Sequence, residues 1–493
     1  MLQSLGEYDK AKEYLQEGLA ISIEIGDRKG EAIGYGNLGT VFKRVGEYDK
    51  AKEYLEKALV IQTSIADKGG KATSYGNLGA VFKSVGEYEK AKEYHEKALA
   101  IRLKLGDRKG EATAYRNLGT LFECLGEYDK AKEYLEKALA MKIEFGDKAG
   151  VKTCCVNLGA VFQSLGDYDN AKQYHEKALA ICIDVGDRAG EGSCYGNLGT
   201  VLKELGEYEK AKEYFKKALT IKLEISDRNG AAKTYANLGK LLYSLGDYDN
   251  AKEYFEKAAV TEIEIGDRAG EATSYGSLGV VLQSLGQYDK AREYLEKALA
   301  IGIEIGDRAG EALHYGNLGT IFLPLGEYEK AKEYLEKALA INIETGYRPG
   351  EAENYVNLCT VFNSLGESDK AINCLEKALA IKREIGDRKG EGCCYGILGT
   401  VQQDLREYEK DKECYKKALT FAVEICNRDL ELSILGNLGK LFYSLGEHVM
   451  AERYLLRALL ISLETGNTDK EFSCYCNLTR EDPGSLRVCS SEF

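Results

Sequence analysis

The 493-residue chain has no tryptophan, three prolines and four histidines. So few histidines exclude a His-rich metal centre, and three prolines exclude a long proline-rich linker. No apolar run approaches the ~20 residues needed to cross a bilayer; Ala58-Leu59-Val60-Ile61 is typical of the longest. The opening MLQSLGEYDK lacks the basic and then apolar pattern of a signal peptide. The 14 cysteines are scattered and none shows the two-residue spacing of a zinc or thioredoxin motif. They read as reduced thiols packed as small apolar residues, which places the chain in the cytoplasm. A net charge of −13 does not suit a nucleic-acid binder. No GxxxxGK[ST], HExxH or GxSxG occurs, and acidic pairs recur so evenly that none stands out as an acid–base dyad. The reading is therefore of a protein that is not an enzyme and needs no cofactor or metal.

What the chain does have is a period. Written in rows of 40 residues, it aligns without a gap from 1 to 480, leaving an irregular tail at 481–493. A constant period marks one supersecondary unit stacked on itself. Each row holds two helical stretches. Ala51, Tyr54, Leu55, Ala58, Leu59 and Ile61 recur at three- and four-residue steps and predict a helix from Tyr48 to Ile65. Tyr115, Leu118, Leu121 and Phe122 predict a second from Arg108 to Leu125, with Asp107 as its N-cap and Gly126 ending it. Gly119 marks a close crossing of the two. The fold class is all-α, a solenoid of antiparallel helix hairpins, about eleven complete, with a partial unit at each end.

The residues Tyr35-x₂-Leu38-Gly39-x₂-Phe42, Gly46-x-Tyr48, Ala51-x₃-Leu55 and Ala58 resemble the tetratricopeptide repeat. Tyr stands where that family usually has Trp, and the unit is 40 residues rather than 34. The longer version, carrying GDRxGEAxxYGNLG, resembles the repeats of Pins/LGN-type G-protein signalling modulators and of tetratricopeptide repeat protein 28-like proteins. The resemblance implies a right-handed superhelix and a scaffold binding extended peptides in its concave groove, in G-protein or cell-division and polarity signalling. The alternative is a regulatory arm of a larger enzyme, of CHAT-type protease-like or transferase kind, with its catalytic domain elsewhere.

Unit position 37 is the residue to watch. It is Asn37, Asn77, Asn117, Asn157, Asn197, Asn237, Asn317, Asn357, Asn437 and Asn477, with Ser277 and Ile397 as exceptions. An amide is both donor and acceptor, so a ladder of them can clamp a peptide backbone whatever its side chains; equally, each could bond its own hairpin. Position 36 is mostly glycine: Gly36, Gly76, Gly196, Gly276, Gly316, Gly396 and Gly436. A helical glycine costs roughly 0.5–1 kcal/mol against alanine, so a close approach is expected there, by a neighbouring helix in preference to a ligand. Lys43, Arg44, Lys83, Arg116, Lys203, Lys233 and Lys240 add positive charge to the predicted groove, which suits an acidic, extended peptide of a partner protein. Arg28, Arg108, Arg188, Arg268 and Arg308 belong to the turn and are expected to pair locally. His95 and His175 occupy a core position that is otherwise mostly Leu or Phe, and read as packing variants.

The pattern frays in the eleventh row. Arg406 replaces the turn glycine, Asp411 a buried alanine, and Leu430 a glycine near a helix start. Asp411 must find partners or push outward. Pro324 should kink its helix or end it early, whereas Pro349, in a first turn, is tolerated. Met1 falls inside a helix and the repeat dissolves after Asn477, so the chain reads as a fragment, a truncated gene product or a stand-alone solenoid.

Overall fold

The computed structural model describes residues 8–465; Asn477 and the 481–493 tail lie outside them. Helices start every 20 residues, from α1 (Tyr8–Glu24) to α23 (His448–Thr465), and no strand occurs among the described residues. The chain is an all-α solenoid of helix hairpins. The odd-numbered helices are the B helices and the even-numbered ones the A helices. The chain divides into two compact units, Met1–Leu241 and Leu242–Phe493.

Each turn is built the same way. Gly106 takes φ +63°, where an L side chain would be strained, and closes α5 (Tyr88–Leu105) by donating its amide to the Leu103 carbonyl. The Asp107 amide then bonds the Arg102 carbonyl, while its side chain caps α6 (Arg108–Cys124) by accepting from the Gly110 amide at 2.9 Å. The same Asp cap recurs at Asp27, Asp67, Asp147 and Asp187. Pro324 ends α16 at Phe322 (Arg308–Phe322, 15 residues), and Pro349 sits in the first turn of α18 (Arg348–Ser364).

Packing inside a hairpin needs the glycine at position 39. A Cβ on Gly119 would lie 2.6 Å from Leu135 Cγ of α7 (Tyr128–Glu144), so only glycine lets the two helices meet. Leu118, Phe122, Ala131 and Leu135 are buried there. Each such large apolar side chain contributes about 1.5–3 kcal/mol. Tyr134 stacks on Phe122 at 5.3 Å and tilts against Tyr115 at 5.9 Å, filling the hairpin without tryptophan. His95 and His175 take the Leu135 role, packed over Gly79 and Gly159. Burial lowers both imidazoles to a pKa of about 4.

The two helices of a hairpin are tied end to end by a repeated ion pair. Arg108 reaches Glu144 at 3.0 Å and Lys148 reaches Asp184 at 2.6 Å, each 36 residues along the chain. Arg188 holds both Glu191, at 2.7 Å, and Glu224. Arg188, Arg268 and Arg308 thus pair locally, as expected, with the glutamate three residues on, and also with the last turn of the B helix in the same hairpin. These pairs are exposed, so each is worth less than about 1 kcal/mol.

The eleventh row departs from expectation in two ways. Asp411 neither finds a partner nor moves out: it is fully buried and neither carboxylate oxygen has a hydrogen-bond partner. Leu430 packs over Gly392, where a Cβ would fall 3.0 Å from Leu430 Cδ2, and Asn427 still caps its amide at 3.0 Å.

Candidate functional site

Within each unit, A helices are the close-set rank. α4 (Lys68–Ser84) touches both α2 (Arg28–Arg44) and α6, and α16 touches α14 (Arg268–Ser284) and α18. Positions 33, 36, 37 and 40 of the repeat line the exposed side of this rank.

The Asn ladder lies along it. Asn37 is exposed, and Asn77, Asn117, Asn157, Asn197, Asn237, Asn317 and Asn357 are half-buried. Asn117 accepts a hydrogen bond from Arg116 at 3.3 Å. The other seven amides of that set have no hydrogen-bond partner within the described residues.

Position 36 divides. A Cβ on Gly276 would strike His314 at 2.6 Å, and one on Gly396 would strike Ile434 at 2.7 Å, so a neighbouring A helix explains those glycines. A Cβ on Gly36, Gly76 or Gly436 would meet nothing within 4 Å. Helix packing therefore does not account for these three, against the expectation.

The basic residues do not form one patch. Lys43 and Lys83 lie close together with Arg44, and burial plus these two neighbours pull the Lys43 ammonium below the usual lysine range. Lys83 also reaches Thr120 of the next A helix at 3.4 Å. Burial raises the Glu123 carboxyl, and Lys83 opposes this, so a carboxyl shares the same face. Lys203 is paired with Glu204 at 2.9 Å, while Lys233 and Lys240 are exposed.

Between consecutive ladder residues the surface opens into clefts. One, of about 370 Å³, is bounded by Gly76, Asn77 and Asn117, with Arg102, Lys109 and Lys142 among its lining. A matching cleft of about 430 Å³ lies between Asn357 and Ile397, with Val356, Cys393, Cys394 and Lys382 among its lining. Arg102 and Lys382 come from B helices, at unit position 22. They lie outside the A helices, on which the sequence pattern places the groove residues. Their signal in the sequence was variation: position 22 runs Gln62, Arg102, Lys142, Cys182, Lys222, Glu262 inside an otherwise constant unit.

No group of three or more His, Cys, Asp or Glu side chains able to hold a metal occurs among the described residues. The described cysteines are free thiols, and Cys182 and Cys194 lie 4.0 Å apart. No described helix is long and apolar enough to cross a membrane.

The solved structures similar to this chain include the apo form of the quorum sensor NprR from B. thuringiensis (15% identity, 73% of this chain and 99% of that one, TM-score 0.51). They also include PH0952 from Pyrococcus horikoshii, a signal transduction ATPase with a tetratricopeptide repeat sensor (19% identity, 70% of this chain and 55% of that one, TM-score 0.50). At these identities the likeness concerns the fold. No curated protein matches the sequence. The profile described as tetratricopeptide repeat matches residues 1–64, 70–144, 153–224, 230–304, 270–344, 310–384 and 350–424. The chain, with its paired helices at a constant 40-residue period, belongs to the tetratricopeptide repeat family.

Proposed function

We propose that this protein is a non-catalytic scaffold that holds extended, acidic segments of partner proteins along its A-helix rank. The observation that carries this reading is the state of the ladder. Half-buried amides such as Asn77, Asn157 and Asn197, left without intramolecular partners, are donors and acceptors available to a backbone lying across them. An alanine would be the better helix former at each of these sites, so structure alone gives no reason for asparagine. The open glycines Gly36 and Gly76 support the same reading, since they leave room beside the ladder. Lys43, Arg44 and Lys83 favour an acidic segment over a basic one. The free thiols fit a reducing cytoplasm. The GDRxGEAxxYGNLG units align the protein with adaptors of G-protein or polarity signalling.

The test is a change of Asn117, Asn157 and Asn197 together to alanine. Each lost hydrogen bond is worth about 0.5–1.5 kcal/mol, so binding to peptides selected on the wild-type chain should fall tenfold or more. Unchanged affinity in the folded variant would overturn the clamp.

A further inference from the structure

The cleft between Asn77 and Asn117 has a built floor. Arg102 crosses from α5 and donates through one terminal nitrogen to Asp107 at 2.5 Å and through the other to Thr73 at 2.6 Å. Its side chain is 18% exposed. Gly110 leaves room for it: a Cβ there would fall 2.4 Å from Asp107 Oδ2 and 2.5 Å from Arg102 Cδ. The same steric relation recurs along the chain. Gly150 clears Lys142, Gly350 clears Asn342 and Gly390 clears Lys382. Where position 22 shrinks to Ala422, position 30 becomes Leu430. The glycine of GDRxG thus clears both the capping aspartate and the side chain at position 22. It lets a B-helix side chain reach through to the A-helix face. Ser22 Oγ lies 2.9 Å from where a Cβ on Gly30 would be, whereas Gly302, beside Gly310, leaves the passage empty.

We propose that position 22 is the selector of the scaffold, and that the Asn77–Asn117 cleft is a pocket for one carboxylate side chain of the bound segment. This rests on the peptide-clamp reading above and adds which side chain is read, and by what. Three cations, Arg102, Lys109 and Lys142, line the cleft against the single carboxylate of Asp107. Lys142 is taken by Asp147 at 2.8 Å. Arg102 spends two of a guanidinium's five N–H donors on Asp107 and Thr73, so the others remain for a ligand carboxylate. Lys109 stands exposed at the rim. A peptide backbone spanning Asn77 and Asn117 would drop its intervening side chain between them. The Asn357–Ile397 cleft has the same position-22 floor, with Lys382 held at 2.8 Å by Asp387, but its walls are Val356, Cys393 and Ile397. The scaffold thus repeats one pocket and varies its chemistry.

The test uses the full chain and a displayed library of random dodecapeptides. Peptides selected on the wild type should share an acidic residue at one fixed position, and replacing it by its amide should weaken binding about tenfold. On Arg102→Gln, and independently on the exposed Lys109→Glu, that acid-over-amide preference should fall at least threefold, while the amide peptide binds as before. A preference that persists in both folded variants overturns the pocket and leaves the clamp standing, provided that Asn77→Ala with Asn117→Ala still abolishes binding. Peptides indifferent to the asparagine changes overturn the clamp, and the pocket with it.

Discussion

The hairpin α6–α7 and the hairpin of α20 (Arg388–Asp404) with α21 (Tyr408–Glu424) are the same unit, one regular and one altered. In the first, Gly119 meets Leu135, Ala131 fills a site with no exposure, and Gly126 turns the chain at φ +73°. In the second, Gly399 meets Tyr415, whose hydroxyl is held near Thr400 at 3.1 Å. The alanine site holds Asp411, with both oxygens unpartnered, and the turn holds Arg406 at φ +60°. The backbone is common to both; the free energy is not. A solenoid can carry a poor unit because each hairpin leans on its neighbours, and the price is local.

The largest effect should come from exchanging the buried site. Ala131→Asp would place an unpaired carboxyl in a tight core and cost about 3 kcal/mol or more. Asp411→Ala should return about 1–3 kcal/mol to the altered hairpin. Native-state hydrogen exchange of α6–α7 and α20–α21 measures both. A neutral result at Asp411 would mean that the site relaxes around its carboxyl.

Acid should move the two kinds of hairpin in opposite directions. His95 and His175 are held neutral down to about pH 4, whereas an unfolded histidine protonates near 6.5. Below pH 6.5 the unfolded chain therefore binds more protons, and α5 and α9 (Tyr168–Asp184) lose stability as pH falls to 4. Burial raises Asp411 above the ordinary 3.8. There the folded state keeps a proton that the unfolded chain releases, so stability is complete below 3.8 and declines as pH rises through the raised value. Exchange corrected for intrinsic rates, followed from pH 6.5 to 4, should show protection falling in α5 and α9 while that of α21 holds or rises.

The turn gives a smaller change. Arg406→Gly relieves a left-handed backbone and should stabilise α20–α21 by about 1 kcal/mol. The same substitution at Ser226, at φ +58°, is its control.

Helix bounds, caps and the close glycine crossing were legible in the sequence because each is a local rule repeated many times: Asp107, Gly119 and Gly126 show it in one hairpin. The helix predicted from Tyr48 to Ile65 ends at Ser64, with Ile65 as its cap. The fate of Asp411 was not legible, since burial depends on how closely the neighbouring helices cover the site. Nor was the role of Gly36 and Gly76, because packing and open space look alike in a pattern. Arg102 was missed because its reach across a hairpin depends on Gly110, eight residues on and in another helix.

The account turns on whether the asparagine ladder serves the fold or the partner. The most direct measurement is the melting temperature of the Asn117, Asn157 and Asn197 triple alanine variant, taken beside its peptide affinity. Asparagine is a weaker helix former than alanine by about 0.6 kcal/mol. The account predicts a melting temperature equal to or above that of the wild type, with affinity down tenfold or more. A melting temperature lowered by several degrees, with binding lost only as the chain unfolds, would contradict it.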